Sequence, residues 1–229
     1  MSCIFIATQE YHQSLDTAEE VAINLLTPSA IHPSQLSVTN AISCATVVLL
    51  SGYFEYYLKN VIKEYIEAIN ALSKPISTIP YEMQRKHYSG GADALAWASK
   101  RDRELQNLAI SQDLCARLAS LTNVSGYILA WESFANTNSN PGTDTVSALL
   151  SGLEVDKGWK TIHGLHSGSG PLDAFLTSFM KMRNICAHTG RHNTPPSGGD
   201  LIGYIENFRK LSEGIEVAIS MRLDQFAAL

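Results

Sequence analysis

The chain has 229 residues, 45% of them apolar and 17% charged, with a net charge of −5. That length buries a sizeable core, and the composition excludes a disordered chain. The acidic balance excludes a protein that is basic overall and coats nucleic acid without regard to sequence, so any RNA contact has to be local.

Four widely spaced cysteines (Cys3, Cys44, Cys115, Cys186) form no Cys-x-x-Cys pair and read as reduced thiols of a cytoplasmic protein. The N-terminus lacks the basic and apolar regions of a signal peptide. The most apolar run, Ala41 to Leu50, is too short to span a bilayer, so no membrane is expected.

Prolines punctuate the chain into helices. A first helix is predicted over Glu10 to Leu26, ended by Pro28 and Pro33. A long helix or broken pair follows over Gln35 to Leu72, with Gly52 marking a kink or a close helix contact. Pro80 opens a polar helix from Tyr81 to Gln106, interrupted at Gly90-Gly91. Ser111 to Leu121 and Tyr127 to Phe134 read as short helices, and Asn136 to Gly142 as a loop. Asp144 or Thr143 caps a helix running to Leu153. A loop from Gly164 to Gly170 leads to Pro171, the start of a helix to His188 closed by Gly190. After a second loop, Asn193 to Gly199, a final helix runs from Asp200 to the last residues. A short strand over Ser2 to Thr8 is the one β expectation. The pattern predicts an all-α helical bundle, one domain over residues 1–229 with its core over about 36–226.

The helix ending at His188 carries the chemistry. On an ideal helix Leu172, Phe175, Leu176, Phe179, Met182 and Cys186 make one apolar face, and Arg183 falls in its middle. A guanidinium there is costly to bury unless paired. Glu55, an acid among the aromatic residues of Ser51 to Leu58, is the candidate partner. Asn184 and His188 fall on the other side with Lys181. Between Asp173 and Asp200 there is no acidic residue, while Lys181, Arg183, His188, Arg191 and His192 all lie in that window, a local patch for phosphate.

The segment Arg183-Asn184-Ile185-Cys186-Ala187-His188 resembles the Arg-x4–6-His motif of the HEPN superfamily. Asn138-Ser139-Asn140-Pro141, a short helix, Trp159 and then the motif helix are similar to its RiboL-PSP-HEPN branch. So is the acid among aromatics in the long early helix. The likeness covers roughly Leu36 to His192, with Thr189 intervening before the glycine that often follows the histidine directly.

The resemblance implies a HEPN-type bundle and a metal-independent endoribonuclease without cofactor. It further implies a homodimer with two motif helices facing across one cleft, and a role in toxin–antitoxin or antiviral defence with a cognate antitoxin or defence partner. Arg183 and His188 would be catalytic with Asn184, Glu55 supporting, and Lys181, Arg191 and His192 contacting RNA. The alternative is a non-catalytic dimerisation module that binds RNA or a partner protein.

The residue chemistry agrees with the enzyme. RNA carries its own nucleophile, the 2′-OH. Histidine is the side chain that moves protons near neutral pH, and it lies in the last turn, where the helix dipole favours a cation. Arginine grips phosphate oxygens in pairs. Five positions put the two side chains about 140° apart around a straight helix, which argues for a second copy or a distorted last turn.

A metal site is the chemical rival, from Cys186, His188 and His192 with His163 and His166 upstream. It lacks a Cys-x-x-Cys knuckle, and the upstream histidines read as solvated loop polarity. The aromatics Tyr53, Tyr56, Tyr57, Tyr65, Trp131 and Phe134 have the spacing of core or interface packing. Trp97 with Lys100-Arg101-Asp102-Arg103 reads as a solvated charged face.

Overall fold

A computed structural model describes residues 5–26, 33–121, 126–137, 141–155, 157–168 and 170–229. Among these residues the chain forms eight α-helices and no strand: α1 (Ile6–Asn24), α2 (Pro33–Ala71), α3 (Tyr81–Leu105), α4 (Ala109–Ser120), α5 (Thr143–Gly152), α6 (Gly158–Leu165), α7 (Leu172–Thr189) and α8 (Gly198–Ala227). Two 3-10 turns join them, Ile76–Thr78 and Trp131–Ser133.

The periodic apolar residues of α2 and α8 make these the axes of the core. Val47, Leu50, Phe54, Tyr57, Val61, Tyr65 and Ile69 of α2 are buried against Leu201, Ile205, Phe208, Leu211 and Ile215 of α8. Helices α1 and α7 flank them. The Phe208 ring lies 5.1 Å from Phe54, 5.2 Å from Phe175 and 4.7 Å, edge to face, from Phe179. Aromatic pairs in such tilted and edge-on geometries contribute about 0.5–1.5 kcal/mol each beyond area burial. Tyr57 Oη donates to the Ser212 carbonyl at 2.9 Å and stacks on Tyr11 at 4.8 Å.

The N-terminal expectation is corrected. Residues Ile6 to Thr8 begin α1 and form no strand; Ser2 to Ile4 lie outside the described residues. Two acids draw the helix back past Glu10. Glu216 accepts from Phe5 N at 3.0 Å and Glu64 from Ala7 N at 2.9 Å, which satisfies amides the first turn leaves free.

Further corrections have local causes. α2 is continuous, and a Cβ on Gly52 would meet nothing within 4 Å, so Gly52 neither breaks the helix nor touches a neighbour. α3 passes unbroken through Gly90-Gly91. These glycines serve close approach: a Cβ on Gly90 would sit 2.0 Å from the Ser133 carbonyl oxygen. Tyr127 to Phe134 is not a helix beyond its short turn, because Asn70 pins Leu129 from both sides. Leu129 N donates to Asn70 Oδ1 at 2.8 Å, and Asn70 Nδ2 donates to the Leu129 carbonyl at 3.0 Å.

Gly142 occupies the cap position of α5 and neither Thr143 nor Asp144 caps it. Thr143 Oγ1 instead bonds Asp173 O at 3.1 Å and Thr177 Oγ1 at 2.8 Å, tying α5 to α7. α6 is a helix that the sequence pattern does not predict, and it takes in Gly164 and Leu165 of the expected loop. Trp159 Nε1 donates to Ser147 Oγ at 2.8 Å, and Ile162 is buried against α8.

Candidate active site

Helix α7 starts after Pro171 and ends at Gly190, whose left-handed φ of 65° lets its N–H reach the Cys186 carbonyl at 2.9 Å. Thr189 Oγ1 donates to Ile185 O at 2.8 Å and also bonds Arg191 O, folding the chain beyond the helix back onto the last turn. This cap fixes the setting of His188, which is exposed in that turn.

Leu172, Leu176, Phe179, Met180 and Cys186 form the buried face of α7. Arg183 sits half-buried beside it. Its Nε is enclosed and has no hydrogen-bond partner among the described residues, and its Nη1 donates to Asn184 Oδ1 at 3.1 Å. The expected ion pair with Glu55 is not formed. Glu55 Oε1 instead accepts from Lys59 Nζ and from Thr137 Oγ1, each at 2.7 Å. Lys59 is four residues along the same helix and Thr137 comes in from the loop, so both reach the carboxylate first.

Burial pushes the Glu55 carboxyl up. The hydrogen bonds from Lys59 and Thr137, and the charges of Lys59 and Arg183, more than offset this and hold it below the usual glutamate range. Arg183 therefore contributes as a nearby charge and keeps its guanidinium free of any ion pair among the described residues. A carboxyl lowered on folding stabilises above its unfolded pKa of about 4.3, and that contribution is lost as pH falls through the folded value. The difference in urea midpoint between the wild type and Glu55→Gln should thus be largest near neutrality and shrink below pH of about 4. A pH-independent difference would show that the charge of Glu55 is not what its partners hold.

Lys181, midway along α7, and Arg191, just beyond its end, are both exposed. His192 is half-buried, and its ring Nδ1 lies 2.8 Å from Thr194 O and 3.1 Å from Thr194 N, so this imidazole orders its own loop. Asn138, Ser139 and Asn140 lie outside the described residues; Thr137, one residue before them, reaches Glu55.

The metal reading loses its ligand set. Cys186 is buried, and burial together with the neighbouring Cys44 thiol pushes it up to about 12, while His188 faces solvent. No group of three His, Cys, Asp or Glu side chains is assembled among the described residues. His163 and His166 are not loose loop polarity. His163 Nε2 lies 3.2 Å from Asp173 at the head of α7 and His166 Nε2 3.7 Å from Glu213 of α8.

The arrangement is thus an all-helical bundle with Arg, Asn and His on one motif helix and an acid on the long early helix: the class of HEPN domains. The RiboL-PSP-HEPN family model matches residues 14–221, and the chain belongs to that family. The match runs well beyond the Leu36 to His192 stretch visible in the sequence, taking in most of α1 and α8. No curated protein and no solved structure matches the chain.

Lys59 and Thr137 were missed from sequence. For Lys59 the signal was there, since Glu55-x-x-x-Lys59 is a helical ion-pair spacing. Thr137 left none, because its contact spans 82 residues.

Proposed function

We propose that the chain is a metal-independent endoribonuclease in which Arg183 and His188, with Asn184, cleave RNA by internal attack of the 2′-OH. The observation that carries this is the state of Arg183. It is half-buried and held by Asn184, its charge is felt by Glu55, and no carboxylate among the described residues pairs with it, so it is poised for an external anion. His188, exposed in the last turn of the same helix, is accessible to the ribose.

In the reaction the 2′ oxygen forms a bond to phosphorus as its proton passes to an imidazole. The bond from phosphorus to the 5′ oxygen breaks, and that oxygen takes a proton from a second imidazole. The ends are a 2′,3′-cyclic phosphate and a 5′-OH. Arg183 stabilises the charge on the non-bridging oxygens. A toxin–antitoxin or antiviral defence system is the setting we assign, with an antitoxin or defence protein as partner.

Two imidazoles imply two copies. Arg183 and His188 diverge by about 140° on one helix, and a second surface supports the pairing. Val38, Ile42, Ala45, Leu49, Gly52 and Tyr56 are all exposed on α2 at alternating steps of four and three, the spacing of a coiled-coil seam. Ile185 of the motif helix is also 44% exposed, next in sequence to Cys186, whose thiol meets Cys44 of α2. By length and composition alone α2 could cross a membrane over Leu36–Ala71, but its opposite face fills the core.

A second copy covering the stripe would place two motif helices together. Leu49→Glu is expected to give a monomer with unchanged helix content and no cleavage. A monomeric wild type, or an active monomeric variant, would remove the dimer from the proposal. The activity itself is tested by incubating the purified chain with RNA in EDTA and reading the product ends. Cyclic-phosphate ends from the wild type and none from Arg183→Ala are the expected result. RNA binding without any cut would favour the non-catalytic module.

A further inference from the structure

We infer that the cleft between α3 and the Trp131–Ser133 turn is a guanine-binding subsite, seating one base of the RNA beside the Arg183 centre; this rests on the ribonuclease reading above. The cleft encloses about 370 Å³ and is lined by Trp97 and Asp93 of α3, Trp131 and Glu132 of the turn, Lys59 of α2, and Thr137. That volume lies within the roughly 300–1,000 Å³ of small-molecule sites and suits one nucleoside.

Trp97 is 55% exposed, an open placement for so large an apolar ring. Both indoles line the cleft, and each carries a cation: Arg101 Cζ stands 5.1 Å from the Trp97 ring centre and Lys63 Nζ 5.7 Å from that of Trp131. Each cation lies over one face of its ring, so a base would stack on the other face of Trp97; aromatic rings together with cations are the combination that holds single-stranded RNA.

The polar groups select the base. Both Glu132 oxygens are taken by Arg117, at 2.6 and 2.8 Å. Glu55, behind the cleft, is taken by Lys59 and Thr137. Asp93 is the lining carboxylate without a hydrogen-bond partner among the described residues. A carboxylate accepts only, and its two oxygens match two adjacent N–H groups. Guanine offers such a pair, N1–H and the 2-amino group. Adenine and cytosine present a ring-nitrogen acceptor beside their amino group, and uracil flanks its one N–H with carbonyls.

The cleft shares two residues with the Glu55 network. Lys59 and Thr137 line it and both hold Glu55, whose carboxylate feels Arg183. A guanosine seated here would have the Lys59 ammonium at hand for its phosphate.

The experiment is a tryptophan-fluorescence titration of the full chain with GMP, AMP, CMP and UMP, without RNA. GMP should quench saturably, the other three binding at least about ten-fold more weakly. Trp97→Ala, a change at an exposed position, should weaken GMP by about ten-fold or more through lost stacking. Asp93→Asn should abolish the preference for GMP. No saturable quench, equal binding of all four, or GMP affinity untouched by both substitutions overturns the subsite. Arg183→Ala separates the two claims. RNA cleavage lost only in that variant, with no GMP binding in the wild type, sinks the subsite and spares the ribonuclease. GMP binding in a wild type that cuts no RNA does the reverse.

Discussion

His188→Ala is expected to lower RNA cleavage by roughly 10²–10⁴-fold, the range lost with a general acid–base group, while thermal unfolding stays where it was. The two halves of this expectation have separate causes. His188 is exposed in the final turn of α7, and the fold takes nothing from its side chain: the turn is closed by Gly190 and Thr189. Its loss therefore costs chemistry alone. Rates are measured in EDTA on RNA, with circular dichroism alongside. Unchanged cleavage in a folded His188→Ala would remove the imidazole from the mechanism.

Phe208→Ala is expected to cost about 3–5 kcal/mol, the usual price of emptying a buried aromatic site, and so to lower Tm by roughly 6–20 °C for a domain of this size. Phe208 has no exposure and touches rings from two other helices. Phe54 is one residue before Glu55, and Phe175 and Phe179 are on the motif helix. The cavity would thus loosen the two elements that set Glu55 and Arg183, and activity should fall well below the melting temperature. A fully active variant would show that the motif helix is held elsewhere, for instance by Thr143 bonding Asp173 and Thr177.

Helices that announce both a period and a stop were legible. α7 shows an apolar stripe between Pro171 and Gly190. α8 shows its stripe from Leu201 onward, but it begins at Gly198, inside the expected loop, because Ser197 and Asp200 each bond the other's backbone N–H. α6 was not legible because eight residues beside a glycine- and serine-rich stretch carry too little periodicity, and Trp159 and Ile162 acquire meaning only against Ser147 and α8. The non-helical run before Trp131 depends on Asn70, 59 residues away. At the site, the odd placement of Arg183 and Glu55 was visible, but not the outcome. A lysine one turn away and a threonine from a loop satisfied the acid, which the charges on two separate helices did not foretell.

Asp102 has a consequence for how α3 and α4 behave together. This buried carboxylate of α3 accepts from Ile110 N at 3.1 Å and Ser111 N at 2.7 Å at the head of α4. The hairpin is thereby latched at its bend as well as packed along its length. In hydrogen exchange, those two amides should report the opening of the hairpin as a whole. Because α3 forms one wall of the tryptophan-lined cleft, that same opening would set how fast a base enters and leaves.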